Sequence, residues 1–417
     1  MKILFLTENF PPETNAAATR VYERALYWIR EGHSVTIITS APNFPEGKLF
    51  VGYANRWRQC EDMGGIRVVR VKTYIAANKG VFWRTLDFIS FMISAFIAGL
   101  FEKRPDVICS TSPQFFAAVS GWLLSVFRRR PFVFELGDLW PASIVAVGAM
   151  KRSLPLRLIE KLELYLYQNS AAVAALTYSF KRNLVSRGIK ATKIQVVRNG
   201  VDVSRYSTRP RHAGLATEHD LTEKFVLGYV GTHGMAHALD RVIDAINLLK
   251  DDDEIRFLFA GAGAAREELV KQAEQLGLSN IVFLPMQPKD RMPDVWSLCD
   301  VALIHLKNDP TFAEVIPSKI FEAMAMGLPL LISAPEGEAT EIVALENAGI
   351  ITPPEDPEAL ADAVLALRND DDKRRNFAKN ALAAAPKYSR EKQAAEMIQV
   401  FTAAIDSQSI APPDESS

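Results

Sequence analysis

Two carboxylates, a lysine and a Pro-Ser pair are gathered in EVIPSKIFEAMAMGLPLLIS, residues 314–333. Glu314 and Glu322 stand eight positions apart, with Pro317, Ser318 and Lys319 between them. Pro317 disfavours helix at the residue before it, and Ser318 is a good N-cap. Ile320, Phe321 and Met324 recur at helical spacing, which predicts a helix beginning near Lys319. Gly327 offers a left-handed C-cap, Pro329 prevents continuation, and LPLLIS reads as a buried strand. Eight residues at about 100° each do not bring two side chains to one helical face. Glu314 is therefore expected on the preceding loop and Glu322 one turn inside the helix. A helix start attracts anions through its free amides and its dipole. With Lys319 there, the place suits a phosphate, and the carboxylates suit hydroxyl groups flanking it. A nucleotide-sugar has that chemistry. The other reading is a capped helix with solvated charges.

Further groups sit where strands end. After FVLGYVG comes THGMAHALDRVIDA, in which Gly231 and Gly234 let the backbone approach a ligand and Thr232, His233 and His237 lie alongside. The histidines read either as donors to a diphosphate or as structural hydrogen-bonders. After RFLFAG comes AGAAREEL, where Gly261 and Gly263 make a strand-to-helix turn. Each glycine pattern alone is a weak phosphate signal. The corresponding loop of the first half, NFPPETNAAATR, offers Ala16, Ala17 and Ala18 instead. In VFELGDLWPAS, Glu135 and Asp138 follow a strand and Trp140-Pro141 stiffens the turn. An aspartate there suits orientation of a sugar or acceptor hydroxyl, or simply a turn. Neither half has GxGxxG with an acid about twenty positions later, which counts against a dinucleotide dehydrogenase. No GxxxxGK[ST] is present either, which counts against P-loop phosphoryl transfer.

The elements holding these residues alternate strand and helix throughout. KILFLT, SVTIIT, RVVRVK, DVICST and FVFEL read as strands of one series, and FVLGYVG, RFLFAG, NIVFLP, VALIHL and LPLLIS as those of a second. Such alternation implies parallel sheets covered by helices. VVRNGVDV and the polar STRPRHAGLATEHD after it mark a junction near residue 205. At 417 residues, two or three domains of roughly 100–200 residues are expected. The fold class is thus α/β, with two doubly wound domains, and ligands are expected at the carboxyl ends of strands facing a two-domain cleft. A hydrophobic content of 48% and a charged content of 23% are ordinary for a globular chain. Cys60, Cys109 and Cys299 lie far apart, with neither metal spacing nor a disulfide pattern. The apolar run of MKILFLTENFPP is too short for a signal peptide.

Net charge is −1, but it is unevenly spread. Residues 1–200 hold 27 Lys and Arg against 14 Asp and Glu, and the remainder 21 against 35. A basic half attracts anionic partners, and with no nucleic-acid motif present, lipid or diphosphate ranks above DNA or RNA. LDFISFMISAFIAGLF, residues 86–101, is only 16 residues long and contains Asp87, short of the about 20 needed to span a bilayer. Lys79, Arg84, Lys103 and Arg104 flank it, which suits a helix lying at a membrane surface. A buried core helix is the alternative.

Taken in order, these segments resemble a retaining glycosyltransferase of family 4 with the GT-B fold, over nearly the whole chain. The resemblance is carried by REGHSVTIIT, DLWP at 138–141, NGVD at 199–202, GYVGTHG at 228–234, the Glu314/Glu322 pair with Lys319, and NAGIITPPEDPEAL. It implies an acceptor-side domain at 1–203 with a helix at 390–407 packing back on it and a nucleotide-sugar domain at 204–389; the polar, Pro-containing tail at 408–417 reads by its composition as disordered. DLWP, PNFP and PSKIFE look most like the branch that extends bacterial surface polysaccharides. That branch moves a deoxy- or N-acetylamino-sugar from a UDP donor to a polyprenyl-diphosphate-linked saccharide, at the cytoplasmic face of the inner membrane.

Carried over residue by residue, the resemblance assigns Glu322 to the donor ribose and Glu314 to the transferred sugar. Pro317, Ser318 and Lys319 fall at the diphosphate, with Gly231, Thr232, His233, Gly234 and His237 closing over it. Asn15, Ala16, Ala17 and Arg20 fall on the acceptor side, and Asp138 lies where many relatives place a histidine. Asp138, Lys319 and Glu314 are the candidate catalytic groups. Thr232 and His237 stand where many relatives carry cations, and Asn15-Ala16-Ala17 replaces a usual Gly-Gly. No cofactor or metal is implied, nor any nucleic acid. Two rivals remain: a UDP-sugar 2-epimerase of the same fold, and a non-catalytic membrane-surface partner of a polysaccharide assembly complex.

Overall fold

The computed structural model describes residues 1–44, 46–76, 81–112, 115–139 and 154–410. The chain divides into two compact units, Met1–Arg198 with Arg390–Ser417, and Asn199–Ser389. The division falls at Arg198/Asn199 rather than after residue 203 because Val201 bridges to Ser389 and its amide donates to the Tyr388 carbonyl at 2.9 Å. The chain therefore enters and leaves the second unit side by side.

The first unit is built on eight strands: β1 (Lys2–Leu6), β2 (Ser34–Ser40), β3 (Arg58–Met63), β4 (Ile66–Val71), β5 (Val107–Thr111), β6 (Phe132–Leu136), β7 (Ala172–Ala175) and β8 (Ile194–Val196). Their order is β3-β4-β2-β1-β5-β6-β7-β8, with every pair parallel except β3–β4. The strand order reverses between β1 and β5. One face of the sheet packs Ile3, Phe5, Val35 and Ile37 against Val21 and Trp28 of the helix Ala16–Arg30. The helix Arg390–Ile410 closes this core with Met397, Val400 and Phe401. The Trp28 indole donates to the Ala394 carbonyl at 3.0 Å, and Arg390 pairs with Glu23 at 2.9 Å. That helix continues to Ile410, so residues 408–410 are helical rather than tail, and 411–417 lie outside the described residues.

The helix Val81–Phe101 extends the apolar segment beyond the 16 residues expected, and Trp83–Phe101 is long and apolar enough by composition to cross a membrane. It is neither core nor free. Phe91, Ala95 and Ala98 are buried, as is Asp87, whereas Trp83, Ile93, Ile97 and Phe101 are exposed. Phe96 packs edge-on against Phe127 of the helix Phe115–Arg128 at 5.3 Å.

The second unit has six parallel strands: β9 (Phe225–Val230), β10 (Ile255–Ala260), β11 (Ile281–Leu284), β12 (Val301–His305), β13 (Leu330–Ser333) and β14 (Gly349–Thr352). They run in the order β11-β10-β9-β12-β13-β14. Strands buried on both faces read as near-continuous apolar runs, which is why VALIH and LLIS are apolar almost throughout. The order reverses between β9 and β12, and ligands of open parallel sheets bind outside the carboxyl ends of the strands at such a point. Both units are Rossmann-like α/β sheets.

Candidate functional site

At the reversal, β9 ends into Gly231. Its φ is +142°, and its amide donates to the Ala260 carbonyl at 2.9 Å. Gly261, at the end of β10, lies so close that a Cβ there would stand 1.9 Å from the Gly231 carbonyl oxygen. A Cβ at Gly263 would stand 2.3 Å from the His233 carbonyl oxygen. The two loops thus meet backbone to backbone.

Beside them lies Lys319, the first residue of the helix Lys319–Met326. Its Nζ would be 3.0 Å from a Cβ at Gly231 and sits 3.6 Å from the centre of the Tyr229 ring. It has no hydrogen-bond partner among the described residues, and Lys319 is 9% exposed. Burial pushes the ammonium down to about 7, with Glu322 opposing. A buried cation resting on an aromatic face with its donors unused is a place prepared for an anion. Tyr229 is fixed in turn by its hydroxyl, which donates to the Thr232 carbonyl at 2.8 Å.

The histidines do not share the cationic role. Burial, with Arg266 and Lys319 nearby, lowers His233 to about 4, and neither of its ring nitrogens has a partner among the described residues. Burial and the Lys319 charge lower His237 to about 3. Its Nδ1 lies 3.3 Å from the His305 carbonyl oxygen, while His305 Nδ1 lies 2.7 Å from the His237 carbonyl oxygen. Both imidazoles of the loop are therefore neutral near pH 7, and His237 has its Nδ1 committed. Thr232 is exposed, and the Gly234 carbonyl accepts from the His237 amide at 3.1 Å.

The segment that prompted the expectation behaves as expected except at its cap. Gly327 takes the left-handed conformation, φ +72°. Ser318 is itself helical, and its side chain makes no capping bond. The Pro317 carbonyl accepts from the Ile320 amide at 3.1 Å, and the Ser318 carbonyl from those of Phe321 at 3.1 Å and Glu322 at 3.3 Å. The first turn is closed by its own tight bonds, which leaves the amides of Ser318 and Lys319 as the ones able to face a ligand. Glu322, half-buried, accepts from the Trp296 indole at 3.3 Å. Glu314 directly follows the short helix Pro310–Ala313, before the helix of Lys319, and is half-buried.

The remaining expected residues lie in the first unit. Asn15 caps the helix Ala16–Arg30, its Oδ1 accepting from the Ala18 amide at 2.9 Å; Ala16 is exposed and Ala17 half-buried. Arg20 is committed to the interior. It pairs with Glu135 at 3.0 Å and donates to Thr111 Oγ1 at 3.0 Å, while Arg24 pairs with the other Glu135 oxygen at 2.8 Å. Burial would raise the Glu135 carboxyl, but Arg24 and Arg20 hold it below the usual range. Asp138 is half-buried just beyond β6, where its amide at 3.3 Å and that of Gly137 at 2.8 Å donate to Ser112 Oγ. Trp140 and Pro141 lie outside the described residues. Among the described residues no group of His, Cys, Asp and Glu is arranged to hold a metal.

Sequence reasoning missed Tyr229, Trp296 and His305. Only His305 carried a signal, as a polar residue closing the otherwise apolar VALIH.

Residues 17–205 match the family described as Glycosyltransferase Family 4, and residues 216–383 the one described as Glycosyl transferases group 1. The chain is a glycosyltransferase. Among relatives of this transferase is WcaI of Escherichia coli (strain K12), named for glycosyl transfer in colanic acid biosynthesis. It is 27% identical over 346 residues, 80% of this chain and 83% of that protein. WcaL of Salmonella typhimurium (strain LT2), named for the same biosynthesis, is 24% identical over 396 residues, 87% of this chain and 89% of that one. The structure of HepE from Anabaena in complex with UDP and glucose is similar with a TM-score of 0.71 and 20% identity, over 99% of the transferase and 100% of that chain. The fold of the transferase is GT-B.

Proposed function

We propose that this transferase moves a sugar, deoxy or N-acetylamino, from a UDP-sugar to a polyprenyl-diphosphate-linked saccharide during bacterial surface polysaccharide synthesis, with retention at the anomeric carbon. The observation that carries the proposal is Lys319. It is a buried, unpartnered cation among the described residues, set against the Gly231 backbone where the strand order reverses. The naming of WcaI and WcaL for colanic acid supports the polysaccharide, and the HepE complex supports uridine diphosphate.

In this reading the diphosphate lies against Lys319, the amides of Ser318 and Lys319, and the loop from Gly231 to Gly234. Glu322 accepts hydrogen bonds from the ribose hydroxyls and Glu314 from a hydroxyl of the transferred sugar. The bond between C1 and the phosphate oxygen breaks, and Lys319 stabilises the charge that develops on the leaving oxygen. The acceptor hydroxyl attacks C1 from the face the phosphate leaves, and its proton passes to that phosphate oxygen. UDP and the glycosylated acceptor are released. Asp138, with Asn15, Ala16 and Ala17, is assigned to the acceptor, Asp138 orienting its hydroxyl. Arg20 contributes by its buried pair with Glu135. The charge that a metal would bring is supplied by Lys319, so a chelator is expected to leave the rate unchanged.

The acceptor's lipid brings a membrane. Ile97, Phe101 and Phe127 are exposed on neighbouring helices of the first unit, with Lys103, Arg104 and Arg129 exposed nearby. An apolar surface fringed by cations suits the anionic inner leaflet at the cytoplasmic face.

Protection against thermal unfolding by a panel of nucleotides and nucleotide-sugars tests the donor. A shift selective for one UDP-sugar, lost in Lys319→Ala and Glu322→Ala, is expected. A response equal in wild type and both variants overturns the assignment. Incubation with UDP-N-acetylhexosamines alone separates the epimerase, which converts donor without acceptor.

A further inference from the structure

The loop from Gly231 to the helix Leu239–Leu248 is tied to a strand that none of the roles assigned so far uses. His305, the last residue of β12, is buried, and its Nδ1 meets the His237 carbonyl at 2.7 Å. The His305 carbonyl in turn lies 3.3 Å from His237 Nδ1. Two residues beyond, the Lys307 amide donates to the Ala236 carbonyl at 2.9 Å. A carbonyl oxygen only accepts, so both Nδ1 atoms carry the proton and both Nε2 atoms are left as acceptors. The tie lies next to a strained residue. Ala238 adopts the left-handed conformation, φ +40° and ψ +48°, immediately before the helix. A non-glycine residue keeps such a conformation only where its surroundings hold it.

We propose that His305 is a positioning residue: with Lys307 it latches the 231–238 loop to the end of β12, and this latch sets the nucleotide affinity of the site. Without it, the chain between Gly234 and Leu239 can relax at Ala238, and the loop must be ordered again each time nucleotide binds. The inference rests on the reading of Gly231–Gly234 as the diphosphate loop.

Two substitutions separate the latch from simple packing. His305→Leu fills the space and removes the donor. His305→Asn places an amide N–H at the branch occupied by Nδ1 and retains it. UDP affinity, measured by calorimetry, is expected to fall about tenfold in His305→Leu, the worth of one well-made hydrogen bond, and to remain near wild type in His305→Asn. ¹⁵N spectra of histidine-labelled, nucleotide-free protein are expected to show the Nδ1–H tautomer at both His237 and His305. In His305→Leu, which keeps the backbone carbonyl facing His237 Nδ1, His237 is expected to keep the Nδ1–H tautomer while thermal unfolding stays cooperative. Wild-type UDP affinity in His305→Leu overturns the inference, as does an equal loss in both variants or an Nε2–H tautomer at both residues. Failure of wild type to bind UDP with both tautomers as expected removes the nucleotide reading and the latch's effect on affinity with it. Altered tautomers with normal UDP binding remove the latch alone.

Discussion

If Lys319 waits near neutrality for a diphosphate, nucleotide binding must take up a proton. In the free protein burial brings its pKa to about 7, from an ordinary 10.5. A diphosphate beside it restores the charged form. By linkage, UDP binding should then take up about 0.9 proton at pH 8 and about 0.1 at pH 6, and affinity should fall nearly tenfold per pH unit above 7. Calorimetric titration in two buffers of different ionisation enthalpy reads the uptake directly. UDP's own phosphate titrates near pH 6, so Lys319→Met is run beside wild type, and the difference at pH 8 belongs to the lysine. The free protein carries the same signature with a definite sign. Between pH 7 and 10.5 the unfolded chain holds a proton that the folded chain has lost, so stability rises with pH in that window. The effect is on the order of 3 kcal/mol between pH 7 and 9, from 1.36 kcal/mol per unit. Saturating UDP, or Lys319→Met, should remove this slope. Equal proton uptake in wild type and Lys319→Met, or a stability profile that Lys319→Met leaves unchanged, refutes the reasoning.

Gly261→Ala puts a methyl group into the Gly231 carbonyl at a φ of +150° and should cost about 3 kcal/mol or more, read by urea unfolding and accompanied by loss of UDP protection. Glu135→Gln leaves Arg20 and Arg24 buried over a neutral amide and should cost about 3–5 kcal/mol. Because the folded Glu135 carboxyl lies below its unfolded value, its contribution is present above the unfolded pKa and disappears as pH falls through the folded one, so wild type and Glu135→Gln should converge in acid. Phe101→Glu with Phe127→Glu should abolish sedimentation with phosphatidylglycerol vesicles at low salt while leaving UDP affinity unchanged. Retained sedimentation would remove that surface from the membrane assignment.

Five strands of the second sheet were legible because they are near-continuous apolar runs, β9 and β10 ended by glycine and β11 by proline. Among the strands that escaped notice, β3 and β7 had no such signature. β3, RQCEDM, is an edge strand with alternate residues exposed, and β7 is four small residues. The site divided along the same line. Lys319 and Glu322 were marked by their local setting, a proline before the helix and a glycine after it. The serine cap failed because the first turn closed on the Pro317 and Ser318 carbonyls, a choice between competing acceptors that residue types do not decide. The protonation of the histidines was not legible in the sequence because it depends on burial beside Lys319. His305 could not have been assigned from its neighbours in sequence, since its partner lies 68 positions away.

The first unit is written in two pieces, with Asn199–Ser389 between them. A ribosome adding about 5–20 residues per second needs roughly 10–40 s to cross that interval. Throughout it, Phe5, Val21 and Trp28 are already made while Met397 and Phe401, which cover them, do not yet exist. The contiguous second unit is therefore expected to be complete first, reversing the usual amino-to-carboxyl order of maturation. A nascent chain halted before residue 390 should show a protease-resistant second unit and a vulnerable amino-terminal sheet. Shortening the chain from its carboxyl end should likewise harm the unit that was begun at the other end.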